Sequence, residues 1–297
     1  MSIMQLDAGE RLAPANGLSL CYQTFGSPSD PALLLVMGLG AQMVLWEDGF
    51  CRMLADRGFF VVRFDNRDIG KSSRISTPPP DLARVFMGQE QLRAPYTLAD
   101  MAADTVGLMD ALGVKKAHVV GASMGGMIAQ EMAIRHPERV LTLTSIMSTT
   151  GERGLPPPKP EVWAAMTAPP PLTVEAFIEA NVRVARLLRG YADAAEEVSD
   201  RARSARAAAR GLNPAGGARQ MAAILASGSR AEALRKVKIP TLVIHGVDDP
   251  LVPVEGGRAT ARAIPGAKLW VLEKMGHTLP RAVWPPIVEA IAAHARG

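Results

Sequence analysis

The chain has 297 residues, 48% apolar and 21% charged, with a mean hydropathy of +0.09, which excludes intrinsic disorder and fits one large α/β domain carrying an insertion. Thirty-three basic against 29 acidic residues leave a net charge of +4, too weak a field to draw nucleic acid or an anionic membrane without a clustered patch. Cys21 and Cys51 are the only cysteines, which excludes a disulfide framework and a cysteine-based zinc site; both are expected as reduced thiols.

The first thirty residues include Asp7, Glu10 and Arg11 and hold no apolar run of signal-peptide or membrane-span length, so a cytoplasmic location is expected. Leu18 to Phe25 reads as an extended, hairpin-like edge, and Ala32 to Met37, behind Pro31, as a buried strand. Phe59 to Phe64 is a strand, Thr97 to Leu112 a helix, Ala117 to Val120 a strand, Met124 to His136 a helix and Arg139 to Ile146 a strand. The alternation resumes with Pro240 to His245 as strand, Val254 to Ile264 as helix, Lys268 to Leu272 as strand and Pro286 to Ala295 as helix. These seven strands predict a mostly parallel sheet covered by helices on both faces.

Between residues 148 and 230 the pattern changes. Prolines cluster at Pro156, Pro157, Pro158 and Pro160 and again at Pro169 to Pro171, followed by helices rich in Ala and Arg with no strand pattern. A helical cap over 148–230 is therefore expected, inserted into a core made of 1–147 and 231–297. Arg183, Arg186, Arg189, Arg201, Arg203, Arg206 and Arg210 fall mostly at helical spacing, interleaved with Asp193, Glu196, Glu197 and Asp200. That mixture predicts a solvated helix face rather than a guide for an acidic substrate. Trp163, Met166, Phe177 and Leu187 give the segment bulky apolar surface, and some of it is expected to enclose a substrate group.

Gly121-Ala122-Ser123-Met124-Gly125 lies between a predicted strand and a predicted helix, the context that a G-x-S-x-G nucleophile elbow requires. Side chains at 121 and 125 would collide with neighbouring backbone, and the strained turn lifts the Ser123 hydroxyl above the sheet edge. The Met124 N–H, at the helix N-terminus, is placed to stabilise a developing oxyanion.

A serine nucleophile needs a base that is itself held by an acid. His118 begins a buried strand, His136 ends a helix and His294 lies in the last helix, so each has a structural explanation; His245 precedes any acid loop in chain order. His277 follows the last strand and completes the order Ser, acid, His. The acid belongs in the loop after the preceding strand, where Asp249 stands before Pro250 and Asp248 is a solvated or turn-capping neighbour. The second oxyanion donor is expected from Met37-Gly38-Leu39-Gly40, as the Leu39 N–H. Gly70-Lys71-Ser72 lacks the upstream glycine of a phosphate loop, because Asp65 stands there. Asp65 and Arg67 are expected to form an internal ion pair.

The whole pattern resembles a serine hydrolase of the α/β-hydrolase superfamily, which implies a mostly parallel, eight-stranded sheet with helices on both faces and an inserted helical cap. Within it, Val36-Met37-Gly38, the run Phe64 to Ser73 and Met275-Gly276-His277-Thr278-Leu279-Pro280 resemble the aclacinomycin methylesterase group and its carboxylesterase relatives. Most of the superfamily has histidine where Met37 stands, a departure this chain shares with the group. The resemblance implies hydrolysis of carboxylic esters through an acyl-enzyme, without metal or cofactor, on a small-molecule ester as the partner; with the apolar surface of the cap, short to medium acyl or methyl esters are expected. Enol-lactone hydrolases, perhydrolases and carbon–carbon bond hydrolases share the Ser-Met-Gly-Gly elbow. A non-catalytic small-molecule receptor on this scaffold is the alternative from another class.

Overall fold

A computed structural model describes residues 9–169 and 171–297; Asp7, with the rest of the first eight residues, and Pro170 lie outside the described residues. In chain order the strands are β1 (Arg11–Ala15), β2 (Leu18–Phe25), β3 (Ala32–Val36), β4 (Phe60–Phe64), β5 (Ala117–Ala122), β6 (Val140–Ile146), β7 (Thr241–Gly246) and β8 (Lys268–Leu272). The helices are α1 (Asp48–Ala55), α2 (Leu82–Phe86), α3 (Leu98–Ala111), α4 (Met124–Arg135), α5 (Pro160–Thr167), α6 (Val174–Arg189), α7 (Ala194–Arg210), α8 (Pro214–Ser227), α9 (Ala231–Leu234), α10 (Val254–Ala263) and α11 (Trp284–Arg296).

The strands form one sheet in the order β1-β2-β4-β3-β5-β6-β7-β8; β2 pairs antiparallel with β1 and β4, and every later pairing is parallel. The central strands are apolar along their whole length, as a sheet buried on both faces requires: all five residues of β3 and of β4 are buried. Alternate residues serve opposite faces. Leu34 and Val36 join Met101, Leu108, Ile128 and Met132 of α3 and α4, whereas Leu33 and Leu35 join Phe50, Leu54, Ile287 and Ile291 of α1 and α11. Each such fully buried leucine contributes about 1.5–3 kcal/mol relative to an exposed one.

The edge strand β1 has no counterpart among the predicted elements. Its Pro14 weakens a strand pattern, yet a strand at the sheet margin tolerates a residue without an N–H. Helix α3 begins one residue inside the predicted span because Thr97 is its N-cap, in a capping box with Asp100. Between β6 and β7 the chain forms four longer helices, α5 to α8, and the short α9, with no strand among the described residues.

The order of strands fixes where a ligand fits. From β3 the chain moves to β4 on one side, then crosses back to β5 on the other, so the loops after β3 and β5 diverge and open a crevice at the carboxyl ends of the strands.

Candidate active site

The elbow after β5 sits in that crevice. Ser123 holds φ 56° and ψ −122°, a left-handed backbone that costs a non-glycine residue about 1–3 kcal/mol and persists only because its surroundings enforce it. The two glycines explain how the turn is so tight. A Cβ on Gly121 would lie 2.1 Å from the Gly125 carbonyl oxygen, and one on Gly125 would lie 2.0 Å from the Val36 carbonyl oxygen. The Ser123 N–H is tied to the Ile146 carbonyl at 2.9 Å.

Three loops then converge. His277, after β8, places Nε2 at 3.0 Å from Ser123 Oγ, while its Nδ1–H donates to Asp249 Oδ2 at 2.7 Å. Because a carboxylate only accepts, Nδ1 carries the proton and Nε2 is left to accept from the serine hydroxyl. Asp249 Oδ1 accepts the Leu251 and Val252 amides at 2.9 and 2.8 Å. Burial raises the Asp249 pKa, but the His277 charge, hydrogen bonds from His245 and His277, and the His245 charge outweigh it and lower the value from 3.8 to about 2. Asp248 is bound differently, through its backbone N–H to the Met275 carbonyl at 3.1 Å.

Gly38 lies beside the serine: a Cβ there would be 3.1 Å from Ser123 Cβ and 3.6 Å from Oγ. Among the described residues, neither the Leu39 N–H nor the Met124 N–H has an intramolecular acceptor, so both amides are free to bind an oxygen at the crevice.

His118 and His294 have structural partners, and His136 caps the end of α4. His118 Nδ1 meets Thr142 Oγ1 at 2.9 Å, and His294 Nε2 donates to the Leu143 and Pro240 carbonyls at 3.2 Å; burial lowers the pKa of both. His245 is closer to the site than chain order suggests: its Nε2–H donates to the Val252 carbonyl at 2.7 Å and lies 3.4 Å from Asp249 Oδ2. Burial pushes the free thiols Cys21 and Cys51 up to about 12.

The expected ion pair of Asp65 with Arg67 is not formed. Asp65 Oδ2 accepts from Arg210 Nη2 of α7 at 2.7 Å, and its two oxygens also take the Met43 and Lys71 amides at 2.8 and 3.0 Å. Arg67 turns away to a bidentate pair with Asp104 of α3, at 2.5 and 2.6 Å. The chain leaves the extended conformation after Phe64, so residues two apart no longer share a face.

The seven arginines are not a single solvated face either. Arg183, Arg186 and Arg201 are exposed, but Arg189 is 1% exposed against Asp200 and Arg210 is 4% exposed against Asp65 and Glu10. Two residues of α8 that sequence spacing gave no reason to single out also reach the site's loops. Arg219 makes a bidentate pair with Asp68 at 2.8 and 2.9 Å, and Gln220 accepts the Gly40 N–H at 2.8 Å.

Of the four apolar candidates, Trp163 is half-buried and packs edge-on against Phe86 with ring centroids 5.8 Å apart; Met166 and Phe177 are also half-buried. Leu187 is 37% exposed and lines a cleft of about 330 Å³ with Val162, Tyr191, Asp248 and Pro250. Neither Ser123 nor His277 lines that cleft.

A family model described as alpha/beta hydrolase fold matches residues 31–280. The rhodomycin D methylesterase DnrP of Streptomyces peucetius is 33% identical over 305 residues, spanning 96% of this chain and 98% of its own. The rhodomycin D methylesterase DauP of Streptomyces sp. (strain C5) is likewise 33% identical, with the same coverage over 312 aligned residues. A hydrolase from Pseudomonas aeruginosa PA01 superposes with a TM-score of 0.72 at 27% identity, covering 98% of this chain and 100% of that one.

Proposed function

The chain belongs to the α/β-hydrolase fold family, and on that premise we propose that it is a carboxylic ester hydrolase in which Ser123 is the nucleophile, His277 the general base and acid, and Asp249 the carboxylate that orients and balances the imidazole. The observation that carries the reading is the unbroken relay from Ser123 Oγ through both His277 nitrogens to Asp249, beside two unsatisfied backbone amides. The substrate class is short to medium acyl or methyl esters; the methylesterase relatives support the methyl ester in particular.

The chemistry follows from the distances. As Ser123 Oγ attacks the ester carbonyl carbon, its proton passes to His277 Nε2, and the cation that forms is stabilised by the Asp249 carboxylate 2.7 Å from Nδ1. The negative charge moves to the carbonyl oxygen, where the Leu39 and Met124 amides receive it. Collapse breaks the ester C–O bond while His277 returns the proton to the leaving alkoxide, giving alcohol and an acyl-serine. Water, deprotonated by His277, repeats the sequence and releases the acid.

Helices α5 to α8, within 148–230, act in this reading as a cap over the crevice, the core being 1–147 and 231–297. The enzyme works in the cytoplasm on a small ester; its two free, buried cysteines support a reducing compartment, and no helix of the described residues is long and apolar enough to cross a membrane. Reaction with a fluorophosphonate tests the assignment: a single adduct on Ser123, lost in Ser123→Ala together with ester turnover, is expected. An adduct elsewhere, or full turnover by Ser123→Ala, overturns it.

A further inference from the structure

The loop that carries the Leu39 amide is held by its own turn and by two distant parts of the molecule. The Met37 carbonyl accepts from Asn66 Nδ2 at 2.8 Å, the Gly38 carbonyl accepts from the Ala41 N–H at 3.3 Å, and the Gly40 N–H donates to Gln220 Oε1 at 2.8 Å. These are one polar atom from each of three consecutive peptide groups. A peptide group is planar, so fixing one of its polar atoms sets the direction of the other. The Leu39 N–H shares its plane with the Gly38 carbonyl, and the planes on either side are fixed by Asn66 and by Gln220.

Asn66 follows β4, within the sheet scaffold. Gln220 belongs to α8, one of the helices inserted between β6 and β7, and is fully buried. Its amide is used at both ends: Oε1 takes the Gly40 N–H, and Nε2 donates to the Arg67 carbonyl at 2.9 Å. A flipped amide would set donor against donor and acceptor against acceptor, so one orientation is enforced. The neighbouring Arg219, locked on Asp68, fixes the helix turn that presents it.

We propose that Gln220 is a positioning residue for the oxyanion hole, through which helix α8 sets the direction of the Leu39 N–H. This rests on the proposed function, since it assigns the Leu39 amide an oxyanion to bind. A hydrogen bond to a developing charge acts only if the donor already points at it, and small misplacements are costly. The inserted helices therefore take part in the chemical step and not only in enclosing the substrate.

Gln220→Met keeps the side-chain volume and removes both hydrogen bonds. Its expected effect is a loss of about 10- to 100-fold in kcat with KM within about twofold of the parent, because the oxyanion exists only in the transition state. The rate of fluorophosphonate reaction at Ser123 should fall in parallel. On the unaltered chain, amide exchange followed by NMR should find the Gly40 N–H slow and the Leu39 N–H fast. Parent-like kcat in Gln220→Met, a loss confined to KM, or a Gly40 amide exchanging as fast as Leu39 each overturns the proposal. If the parent reacts at Ser123 and the variant reacts equally fast, this proposal fails alone; an unreactive Ser123 in the parent sinks the proposed function and this proposal with it.

Discussion

The sheet and the helices inserted between β6 and β7 are built on different physics. Two continuous apolar clusters pack the sheet against α1, α3, α4 and α11; among the described residues, helices α5 to α8 give them only Ala223, with Ile224 at the margin, and the short α9 adds Leu234, while Ala207 joins a small satellite cluster with Cys21, Met43 and Val44. What fastens the inserted helices is charge. Arg203 reaches Glu47, Arg206 meets Asp48 at 3.0 Å, Arg210 holds Asp65 and Glu10, and Arg219 holds Asp68. Apolar packing is non-directional, whereas each bidentate pair specifies an orientation. The sheet supplies stability and carries the proposed nucleophile; the ion-paired attachment supplies registry between α7, α8 and the loops after β3 and β4.

The largest effect expected on this division is chemical and confined to the sheet loops. Asp249→Asn should lower kcat by about 10⁴, since an amide cannot hold His277 in the required tautomer or balance its charge. Asp248→Asn should cost little, because that residue is tied in through its backbone N–H. Steady-state kinetics of the two variants decide between them, and the reverse ranking would move the acid to Asp248.

The attachment is tested next by Arg210→Leu. It strands the Asp65 carboxylate, which is 0% exposed, with only backbone amides for partners, and breaking a buried pair in this way costs about 3–5 kcal/mol. Leu34→Ala, in the apolar cluster, should cost about 2–5 kcal/mol by leaving a cavity. The two are told apart by the double variant: Asp65→Asn should restore part of the loss in Arg210→Leu, because the stranded charge is the cost. An unfolding free energy from urea titration within about 1 kcal/mol of the parent for Arg210→Leu would show the ionic attachment to be ornamental.

Acid should separate the regions further. Burial raises the Asp68 pKa, but its hydrogen bonds from Arg219, the Ile75 amide and Tyr96 outweigh this and lower it below the ordinary 3.8. A depressed carboxyl contributes stability that is present above its unfolded value and lost as the pH falls through the folded one. The Asp68–Arg219 link should therefore weaken as the pH drops below about 4, and Asp249 follows the same sign down to its folded value of about 2. Asp104 runs the other way: burial raises its pKa in spite of Arg67. Amides of α8 should lose exchange protection at a higher pH than those of β3, and simultaneous loss would mean that the two regions open together.

The legible part of the molecule coincides with the part built on periodicity. Strands β2 to β8 announce themselves as apolar runs, and the elbow, Asp249 and His277 by their order after successive strands. The ionic partners do not. An arginine at helical spacing looks the same whether it faces water, as Arg201 does, or a buried carboxylate 145 positions away, as Arg210 does. Asp65 and Arg67 looked like a pair because they are close in sequence, while each finds a different partner from a helix far along the chain. Gln220 carried no local signal at all, since its side-chain amide bonds only backbone groups of loops far away in sequence, the Gly40 N–H and the Arg67 carbonyl.

The smallest effect concerns the apolar side chains of the inserted segment. An apolar pocket discriminates by about 1–3 kcal/mol per methylene, so a cap that encloses the acyl or alcohol group should produce a distinct optimum in chain length. Trp163, braced edge-on by Phe86 at 5.8 Å, is the candidate with a fixed orientation; Met166 and Phe177 are half-buried beside solvent-facing neighbours. Trp163→Ala should shift the optimum among p-nitrophenyl esters toward longer chains by one to a few methylenes while the rate of phosphonate reaction at Ser123 stays within about twofold, since the hydrogen bonds of Ser123, His277 and the Leu39 loop are untouched. Leu187→Ala should leave the optimum where it is, because Leu187 lines a cleft to which neither Ser123 nor His277 contributes. A shift in Leu187→Ala with none in Trp163→Ala would reverse the assignment of the substrate-facing side of these helices. An optimum unchanged in both would leave selectivity to the loops around Leu39 and Met124, and the inserted helices to their hold on Gly40.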